Sequence, residues 1–469
     1  AILSRATVNP NIKVWPHKLV ESDVVLDEDL VWGSKASKNI FGSRSINGNI
    51  NIEINLEFAT RLGSVFATIM GMGGISIVCS DEHSSSKLIK NSIISGIMAT
   101  GTNVIDIKNN TLPICRFAVR YFKANNGIYI SSNPKDVNII QIELINKNGV
   151  NINKNLKRKI ENMLGTSDFI RCNGENIGQI TEIHDFYSIY IEEGKRLLKN
   201  ISIIKRKNPK VLISTYSKDV FMLAREYLEG IGCQVIHMPE FDKEMDAGIL
   251  SREVVKNHFD LGIFYSDNGE KMTLIDDKGR ILDEEKILLL SIIMGFKTGE
   301  LKDTIIPYNF PRIVENVVKD YNGVVHITKT NIADILDEIV KRDSLYQYFI
   351  NYDAIWGTGV IIDYMVKEKI NLSKLVDELP SYYYVKHQVD CPWEEKGRIL
   401  RSIIEDDRDV VETIEGARIV KDKGWVLILP DEERPQFNIY AEGTSEEYAE
   451  ELSNLYYEKI AKILNSEAL

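Results

Sequence analysis

The sequence predicts an α/β protein that begins with a short parallel β-helix and ends in a small α+β domain. Three observations lead to this prediction. Apolar residues recur every six positions over residues 1–36, strand and helix patterns then alternate in three similar blocks, and the pattern changes again after residue 384. Strands that alternate with helices of ten to fifteen residues indicate mixed or parallel sheets with helices packed on them.

The period of six defines the first element. Its apolar positions are Ile2, Val8, Val14, Val20, Leu26 and Trp32. A second apolar set follows four residues behind the first, with Lys18 as its exception. This period fits neither a helix nor a single strand, but it is the period of a left-handed parallel β-helix, in which three short strands make one coil. Because two coils leave an apolar end open, we expect further coils upstream or a partner that covers that end.

The three blocks and the tail follow in order. Predicted strands lie at 75–79, 104–107 and 127–131, then at 210–214, 234–237 and 261–265, then at 304–307 and 324–328, and in the tail at 425–429 and 437–441. Helical patterns lie between them, and a long final helix is predicted at 445–463. The predicted domains are 1–36, 37–174, 175–281, 282–383 and 384–469.

Composition restricts the function classes. There are 57 Lys and Arg against 68 Asp and Glu, which gives a net charge of −11 and argues against nucleic-acid and anionic-membrane binding. The most apolar run, at 287–296, is too short to span a bilayer. The five cysteines are scattered without a CxxC, which favours a reducing cytoplasm. Because the chain begins with Ala1, we expect a processed product or a fragment.

Short framework strings carry a family resemblance. They are FGS and ING at 41–48, TGTNV at 100–104, FAVRY at 117–121, DLGI at 260–263, DKGRIL at 277–282, CP and EKGR at 391–398, GWVL at 424–427 and YAE at 440–442. In this order they resemble the α-D-phosphohexomutases, which include phosphomannomutase and phosphoglucomutase, over residues 38–469. The resemblance implies three similar α/β phosphohexomutase domains followed by a small α+β domain. It also implies phosphoryl transfer between two hexose hydroxyls through a phosphoserine, with a metal ion.

The phosphoserine loop of the family reads TASHNP. Here the strand 127–130 runs into Ser131-Ser132-Asn133-Pro134, which is shorter than the family loop. The resemblance makes Ser131 the candidate nucleophile if the protein is active, and Ser132 and Asn133 candidate ligand-binding residues. The alternative is a turn with polar caps and no catalytic role.

The metal loop of the family reads DGDADR and directs three carboxylates at one Mg²⁺. The matching positions here are Ser266, Asn268 and Glu270, so one carboxylate remains. Because Mg²⁺ demands several hard oxygen ligands, we expect no bound metal or other cofactor in the main interpretation, and Mg²⁺ only if the protein is an active mutase.

Two further loops differ from the family. The sugar-selecting string GExSGH is expected near 343–348, where neither its Gly-Glu pair nor its His is present, although Lys329 keeps the lysine position of the domain. The phosphate loop RPSGTEP becomes LPDEERP at 429–435, which leaves Arg434 beside three acids. Lys329 and Arg434 are therefore candidate ligand-binding residues in weakened sites.

These departures lead to three functional hypotheses. The main one is a mutase-like module that has lost activity and forms the C-terminal part of a sugar-1-phosphate nucleotidyltransferase, similar to mannose-1-phosphate guanylyltransferase, with a structural, oligomerisation or regulatory role. Its implied partners are an upstream nucleotidyltransferase domain, a sugar phosphate or a nucleotide sugar such as GDP-mannose, and copies of itself. The alternative is an active phosphomannomutase or phosphoglucomutase. The third is another phosphosugar enzyme that uses His83 or His387 as acid and base.

Overall fold

The computed structural model describes the chain except for residues 1, 4, 5, 11, 17, 21–23, 27–34, 37–39, 72, 239–246, 407–409 and 466–469. The chain divides into two compact units. The first comprises residues 1–281 and 352–368, and the second comprises residues 282–351 and 369–469. None of the described helices is both long enough and apolar enough to cross a membrane.

Short parallel strand pairs lie among the described residues of the segment 1–36. The strands are β1 (Ile2–Leu3), β2 (Thr7–Val8), β3 (Leu19–Val20), β4 (Val25–Leu26) and β5 (Lys35–Ala36). Ile2 pairs with Leu19, and Thr7 pairs with Val25, so partners lie 17 and 18 residues apart. The described apolar residues of this segment form a small cluster around Val20. This spacing is close to three hexads, but the β-helix itself stays a prediction, and Trp32 lies outside the described residues.

A six-stranded sheet forms the core of the first repeat. Its elements are β6 (Ile46–Asn49), α1 (Leu56–Met70), β7 (Ile75–Ser80), α2 (Ser84–Met98), β8 (Asn103–Asn109), α3 (Leu112–Tyr121), β9 (Asn126–Asn133), β10 (Asp136–Asn146), α4 (Lys154–Thr166) and β11 (Ile180–Glu182). The strand order is β11-β8-β7-β9-β10-β6. β7 is parallel to β8 and β9, whereas β10 is antiparallel to β9. The apolar faces of α1 and α2 cover one side of this sheet.

The two helices of that layer cross closely because glycines lie at the contact. A Cβ atom on Gly63 would overlap the carbonyl oxygen of Ile93, and one on Gly96 would overlap the carbonyl oxygen of Thr60. The absence of side chains at Gly63 and Gly96 therefore sets how near α1 and α2 approach.

The second repeat has the same strand order. Its elements are α5 (Phe186–Arg196), α6 (Ile201–Lys207), β12 (Lys210–Ser214), α7 (Lys218–Ile231), β13 (Gln234–His237), α8 (Ala247–Lys256), β14 (Leu261–Tyr265), β15 (Met272–Asp276) and β16 (Ile281–Leu282). The sheet order is β13-β12-β14-β15-β16. β12 is parallel to β13 and β14, and β15 is antiparallel to β14. β7 therefore lies between β8 and β9 in the first repeat, as β12 lies between β13 and β14 in the second.

The third block departs from that plan. Its elements are α9 (Glu284–Thr298), β17 (Asp303–Pro307), α10 (Ile313–Asp320), β18 (Val324–Thr328), α11 (Ile332–Lys341), α12 (Leu345–Tyr352) and α13 (Ala354–Glu368). Within the described residues its sheet consists of the parallel pair β17-β18. On β17, the side-chain amide of Gln347 accepts the N–H of Ile305 at 3.1 Å and donates to its carbonyl oxygen at 2.5 Å. A side chain thus makes the hydrogen bonds that a third strand makes in the first two repeats.

An antiparallel sheet and a long helix form the tail. The elements are α14 (Leu372–Asp377), β19 (Tyr383–Asp390), α15 (Lys396–Asp406), β20 (Val410–Glu412), β21 (Ala417–Lys421), β22 (Gly424–Pro430), β23 (Gln436–Gly443) and α16 (Glu446–Asn465). The sheet order is β19-β23-β22-β21-β20. α16 and α15 pack on this sheet through an apolar cluster that includes Ile399, Ile439 and Tyr456. The overall class is the mixed α/β fold that the alternating patterns predict.

Candidate functional site

The predicted phosphoserine loop lies at the carboxyl end of β9. Ser132 is 5% exposed, and its backbone N–H and its hydroxyl both donate to Asp81 Oδ2, at 2.6 and 3.1 Å. Asp81 follows β7, the parallel neighbour of β9, and its other oxygen accepts the N–H of His83 at 3.1 Å. Asn133 Oδ1 accepts the N–H of Lys135 at 2.9 Å. Hydrogen bonds from both sides therefore hold the loop in place.

Ser131 projects from the opposite face of β9. Side chains alternate along a strand, so Ser131 shares a face with Tyr129 and not with Ser132. Tyr129 pairs with Glu143 of β10, and Ser131 pairs with Gln141, so Ser131 lies diagonally across from Glu143. Ser131 is half-buried. The predicted nucleophile thus stands on the side of the sheet that carries Glu143 and its charged partners.

Glu143 belongs to a buried network of charges. Its Oε2 contacts Arg44 Nε at 2.9 Å, and the side-chain amide of Asn151 donates to the same oxygen at 2.9 Å. Arg116 is fully buried and reaches Glu143 at 3.8 Å, while its Nη2 donates to Asn151 Oδ1 at 2.6 Å. Two guanidinium groups therefore stand beside one carboxylate inside the first unit.

Glu270 is the second carboxylate of this network. It is 1% exposed, and its two oxygens contact Arg116 Nη2 at 3.0 Å and Arg44 Nη1 at 2.5 Å. Burial alone would raise the pKa of Glu270, but the charges of Arg44 and Arg116 outweigh burial and lower it below its usual value. Glu270 is therefore ionised at neutral pH, and its charge is compensated by arginine.

The other two positions of the predicted metal loop point their oxygens into the loop. Ser266 Oγ donates to Asn268 Oδ1 at 2.9 Å and accepts the N–H of Lys271 at 2.9 Å. Asn268 Oδ1 also accepts the N–H of Glu270 at 3.1 Å. Among the described residues no group of three or more His, Cys, Asp or Glu side chains is arranged to hold a metal ion. The donor set around Ser266, Asn268 and Glu270 does not fit Mg²⁺, because its one carboxylate contacts two arginines and its other two oxygens are engaged in hydrogen bonds within the loop.

Acidic residues from both repeats meet near this loop. The N–H of Leu112, at the start of α3, donates to Asn268 O at 3.3 Å. Asp219, at the start of α7, has a raised pKa because of burial and because of the neighbouring charges of Glu82 and Asp81. A carboxyl group with a raised pKa is a better proton acceptor than an ordinary carboxylate. Asp219 is therefore the acid–base candidate of this edge, and sequence reasoning did not identify it.

The region where the sugar-selecting string is expected, residues 343–348, lies at the start of helix α12. Gln347, which lies inside that region, is 1% exposed and closes the edge of β17. Lys329 is exposed and lines a concave surface of about 760 Å³ together with Asp334, Glu338 and Arg342. Lys329 thus lies among acidic side chains of the second unit.

The expected phosphate loop is a tight turn organised by Asp431. Asp431 accepts the N–H groups of Glu433 and Arg434 at 2.8 and 2.9 Å, and Lys396 Nζ donates to the carbonyl oxygens of Asp431 and Arg434 at 2.6 Å each. Burial raises the pKa of Asp431, but these hydrogen bonds and those from Asn438 and Gln436 together lower it. Arg434 is exposed. The backbone N–H groups of this turn therefore point at the carboxylate of Asp431.

The two histidines of the third hypothesis lie in different places: the backbone N–H of His83 donates to Asp81 beside the phosphoserine loop, whereas His387 lies in the tail. His83 precedes helix α2. His387 Nδ1 lies 3.0 Å from Ser453 Oγ, and its Nε2 lies 3.7 Å from Glu450. His387 thus contacts Ser453 and Glu450 of helix α16, neither of which is a candidate catalytic residue.

Sequence reasoning missed the charged network. Of its members, only Glu270 was singled out in advance; Arg44, Arg116 and Glu143 were not. One signal was available, because Arg116 lies on the same helical face as the apolar residues Leu112 and Cys115, where an unpaired charge would be costly. That signal predicts a buried partner without naming it.

Comparisons with known proteins agree with the framework strings. A model of the family described as "Phosphoglucomutase/phosphomannomutase, alpha/beta/alpha domain I" matches residues 38–171. The chain is 26% identical over 451 residues to a phosphoglucomutase/phosphomannomutase of Thermococcus kodakarensis, which covers 89% of this chain and 97% of that protein. It is 27% identical over 410 residues to a phosphoglucosamine mutase of Methanocaldococcus jannaschii, covering 80% and 89%.

Solved structures show the same fold. A phosphoglucomutase/phosphomannomutase family protein from Burkholderia thailandensis superposes with a TM-score of 0.78 at 14% identity, covering 92% of this chain and 98% of that one. An N-acetylphosphoglucosamine mutase of Aspergillus fumigatus, solved with GlcNAc-6P and magnesium, has a TM-score of 0.54 at 8% identity, covering 91% and 96%.

These matches correct the main functional hypothesis. We expected an inactive module that forms the C-terminal part of a sugar-1-phosphate nucleotidyltransferase. That hypothesis is wrong, because relatives named as mutases align with this chain over nearly their whole length. Together, the domain I match and the whole-length relatives support membership of the chain in the phosphohexomutase family.

Proposed function

We propose that this chain is an active phosphohexomutase that interconverts hexose 1-phosphates and 6-phosphates through a phosphoserine. The observation that carries the proposal is the similarity to phosphoglucomutase/phosphomannomutase over 89% of the chain. A phosphoglucosamine mutase of comparable identity favours a hexose phosphate as the substrate class, with either a hydroxyl or an amino group at carbon 2.

Ser131 is our candidate phosphoryl carrier. In the first half-reaction the bond between phosphorus and Ser131 Oγ breaks, a bond to a sugar hydroxyl forms, and the proton of that hydroxyl passes to a base. In the second, the other phosphate of the resulting bisphosphate returns to Ser131, which regains its phosphoryl group. The position of Ser131 on the face of the sheet that carries Glu143 and its partner Arg44 supports this role, because a guanidinium group can donate hydrogen bonds to phosphoryl oxygens.

Asp219 is our candidate base for the sugar hydroxyl. Its raised pKa makes it a better proton acceptor than an ordinary carboxylate. Asp81 has a different role, because it holds the Ser132 hydroxyl and the backbone of the loop. We infer that Lys329 and Arg434, in the second unit, are the phosphate ligands that this chain retains.

The first 36 residues are a separate part of the proposal. We infer that they form two coils of a left-handed β-helix, because parallel partners lie 17 and 18 residues apart and the apolar positions cluster. We place the protein in the cytoplasm on the basis of its scattered cysteines, which are described without a disulfide bond.

A coupled assay tests the proposed activity. Glucose, mannose and glucosamine 1-phosphates are supplied with Mg²⁺ and a trace of the matching bisphosphate, and formation of the 6-phosphate is followed. We expect turnover of at least one substrate, which falls to background in Ser131→Ala. The matched control is Ser95→Ala, an exposed serine on α2, which should retain full activity. Failure to convert all three substrates, or full activity in Ser131→Ala, would overturn the proposal.

A further inference from the structure

We propose that Arg44 and Arg116 occupy the place where the family loop holds a metal ion and compensate the buried carboxylates there, so that this site operates without a bound divalent cation. The inference rests on the proposed function in one respect: the group on which Arg44 acts is taken to be a phosphoryl group on Ser131. Whether the site binds a metal can be tested independently of that function.

The first support is that Glu270 already contacts two arginines. Of the three metal-loop positions it is the only one that carries a carboxylate, and both of its oxygens already contact guanidinium groups, at 3.0 Å from Arg116 and 2.5 Å from Arg44. A metal ion at Glu270 would have to displace one arginine from a site that is 1% exposed. The displaced guanidinium would then be left buried beside a second positive charge, which is strongly unfavourable.

The second support is the hydrogen bonding of the loop. Ser266 Oγ and Asn268 Oδ1 accept hydrogen bonds from backbone N–H groups at 2.9 and 3.1 Å, and the Ser266 hydroxyl donates a hydrogen bond to Asn268 Oδ1. An ion ligated by these atoms would break the contacts that set the loop conformation. The loop therefore stabilises itself through groups that would otherwise face a cation.

The third support is a charge change at a second place in the sequence. Residues 41–48 read FGSRSING, and the family string resembled here reads FGTDGIRG, so Arg44 stands where that string has an aspartate. Two carboxylates of the family loop are thus replaced by Ser266 and Asn268, and an aspartate elsewhere is replaced by Arg44, whose side chain contacts Glu270 in the same loop. Arg44 and Arg116 together oppose Glu143 and Glu270, so the four side chains have no net charge.

The geometry also leaves one group to act on a phosphoryl oxygen. Arg44 Nη2 is buried and has no hydrogen-bond partner among the described residues, although Nε and Nη1 contact Glu143 and Glu270. The side chain of Arg44 is 25% exposed, and Ser131 projects from the face of the sheet that carries Glu143. Because Arg44 contacts Glu143 and Ser131 shares the face of the sheet that carries Glu143, we assign Arg44 to a phosphoryl group on Ser131, whereas the fully buried Arg116 contacts Glu270 and Glu143.

Manganese binding, followed by the electron paramagnetic resonance signal of free Mn²⁺, provides the first test. We expect the wild-type protein to leave Mn²⁺ free at micromolar concentration. The comparison variant carries Ser266→Asp, Asn268→Asp and Arg44→Asp, which restores the carboxylates of the family loop, and we expect it to bind Mn²⁺ at least tenfold more tightly. One tightly bound Mn²⁺ per wild-type chain that disappears in Glu270→Gln would overturn the inference.

Phosphoryl transfer provides the second test. The protein is incubated with glucose 1,6-bisphosphate in EDTA or in Mg²⁺, and phosphorylation of Ser131 is read from intact mass and peptide mapping. We expect equal labelling in both conditions, at least tenfold slower labelling in Arg44→Met, and partial recovery in Arg44→Lys. Labelling only in Mg²⁺ would overturn the inference. Labelling in neither condition would count against the proposed function instead, and the Mn²⁺ result alone would then decide the inference.

Discussion

Replacement of Glu270 by glutamine probes the buried network directly. The amide keeps the size of the side chain but removes a negative charge that compensates Arg116, which is 0% exposed, and Arg44. Its NH₂ group would also face a guanidinium donor. Removal of one partner from a buried ion pair costs about 3–5 kcal/mol. Because Arg116 keeps Asn151 at 2.6 Å and Glu143 at 3.8 Å, we expect the lower end of that range.

Differential scanning calorimetry measures this loss. In a folded unit of this size each kcal/mol lowers the unfolding midpoint by roughly 2–4 °C, so Glu270→Gln should lower it by about 6–12 °C. The matched control is Glu226→Gln, an exposed glutamate on α7, for which we expect a change within about 0.5 kcal/mol. In the double variant Glu270→Leu with Arg116→Met, which removes the pair together, much of the stability should return.

The pH dependence of the same variant has a defined sign. Burial raises the pKa of Glu270, but Arg44 and Arg116 lower it overall, so its contribution to stability is present above the ordinary carboxyl pKa and is lost as the pH falls through the lowered value. The difference between wild type and Glu270→Gln should therefore be constant near neutral pH and shrink in strong acid. A loss below about 1 kcal/mol at neutral pH would refute the assignment of a buried, charge-compensated carboxylate.

Three further predictions concern other parts of the fold. Burial raises the pKa of Asp353 to about 7, although hydrogen bonds from Tyr190 and the backbone act to lower it. The stability of the wild-type protein should therefore fall as the pH rises towards that value. Asp353→Asn should remove this fall, as measured by thermal melts at pH 5 and pH 8. Gln347→Met should destabilise the second unit by about 1–3 kcal/mol in urea unfolding, because both backbone groups of Ile305 lose their partner; an unchanged midpoint would contradict the edge-closing role. Gly63→Ala should cost about 1–3 kcal/mol by forcing α1 and α2 apart, and wild-type stability in this variant would show that the crossing tolerates a methyl group.

Local patterns predicted the secondary structure well. The strand predicted at 127–131 is Asn126–Asn133, and that at 75–79 is Ile75–Ser80. Such elements are predictable because alternation and helical spacing are properties of neighbouring residues. The family strings likewise located the loop 266–271, since a motif is read from consecutive letters.

The partners of buried charges were not predictable in this way. Arg44, Arg116 and Glu270 are separated by 72 and 154 residues along the chain, and no periodicity relates them. The loss of carboxylates in the metal loop therefore suggested an inactive protein. Arg44 is present in the sequence, but the sequence does not show that its side chain lies beside Glu270. The hydrogen bonds between Asp81 and Ser132 were missed for the same reason.

The amide of Gln347 has a consequence for how this protein can vary. A glutamine side chain ends in the same chemical group as a peptide bond, which is why it can bond to Ile305 as a neighbouring strand would. Residues that differ in length, or that lack either the oxygen or the nitrogen, cannot make both bonds. Backbone pairing between strands depends little on which side chains are present, whereas here both hydrogen bonds of Ile305 depend on one side chain. Position 347 should therefore accept almost no substitution.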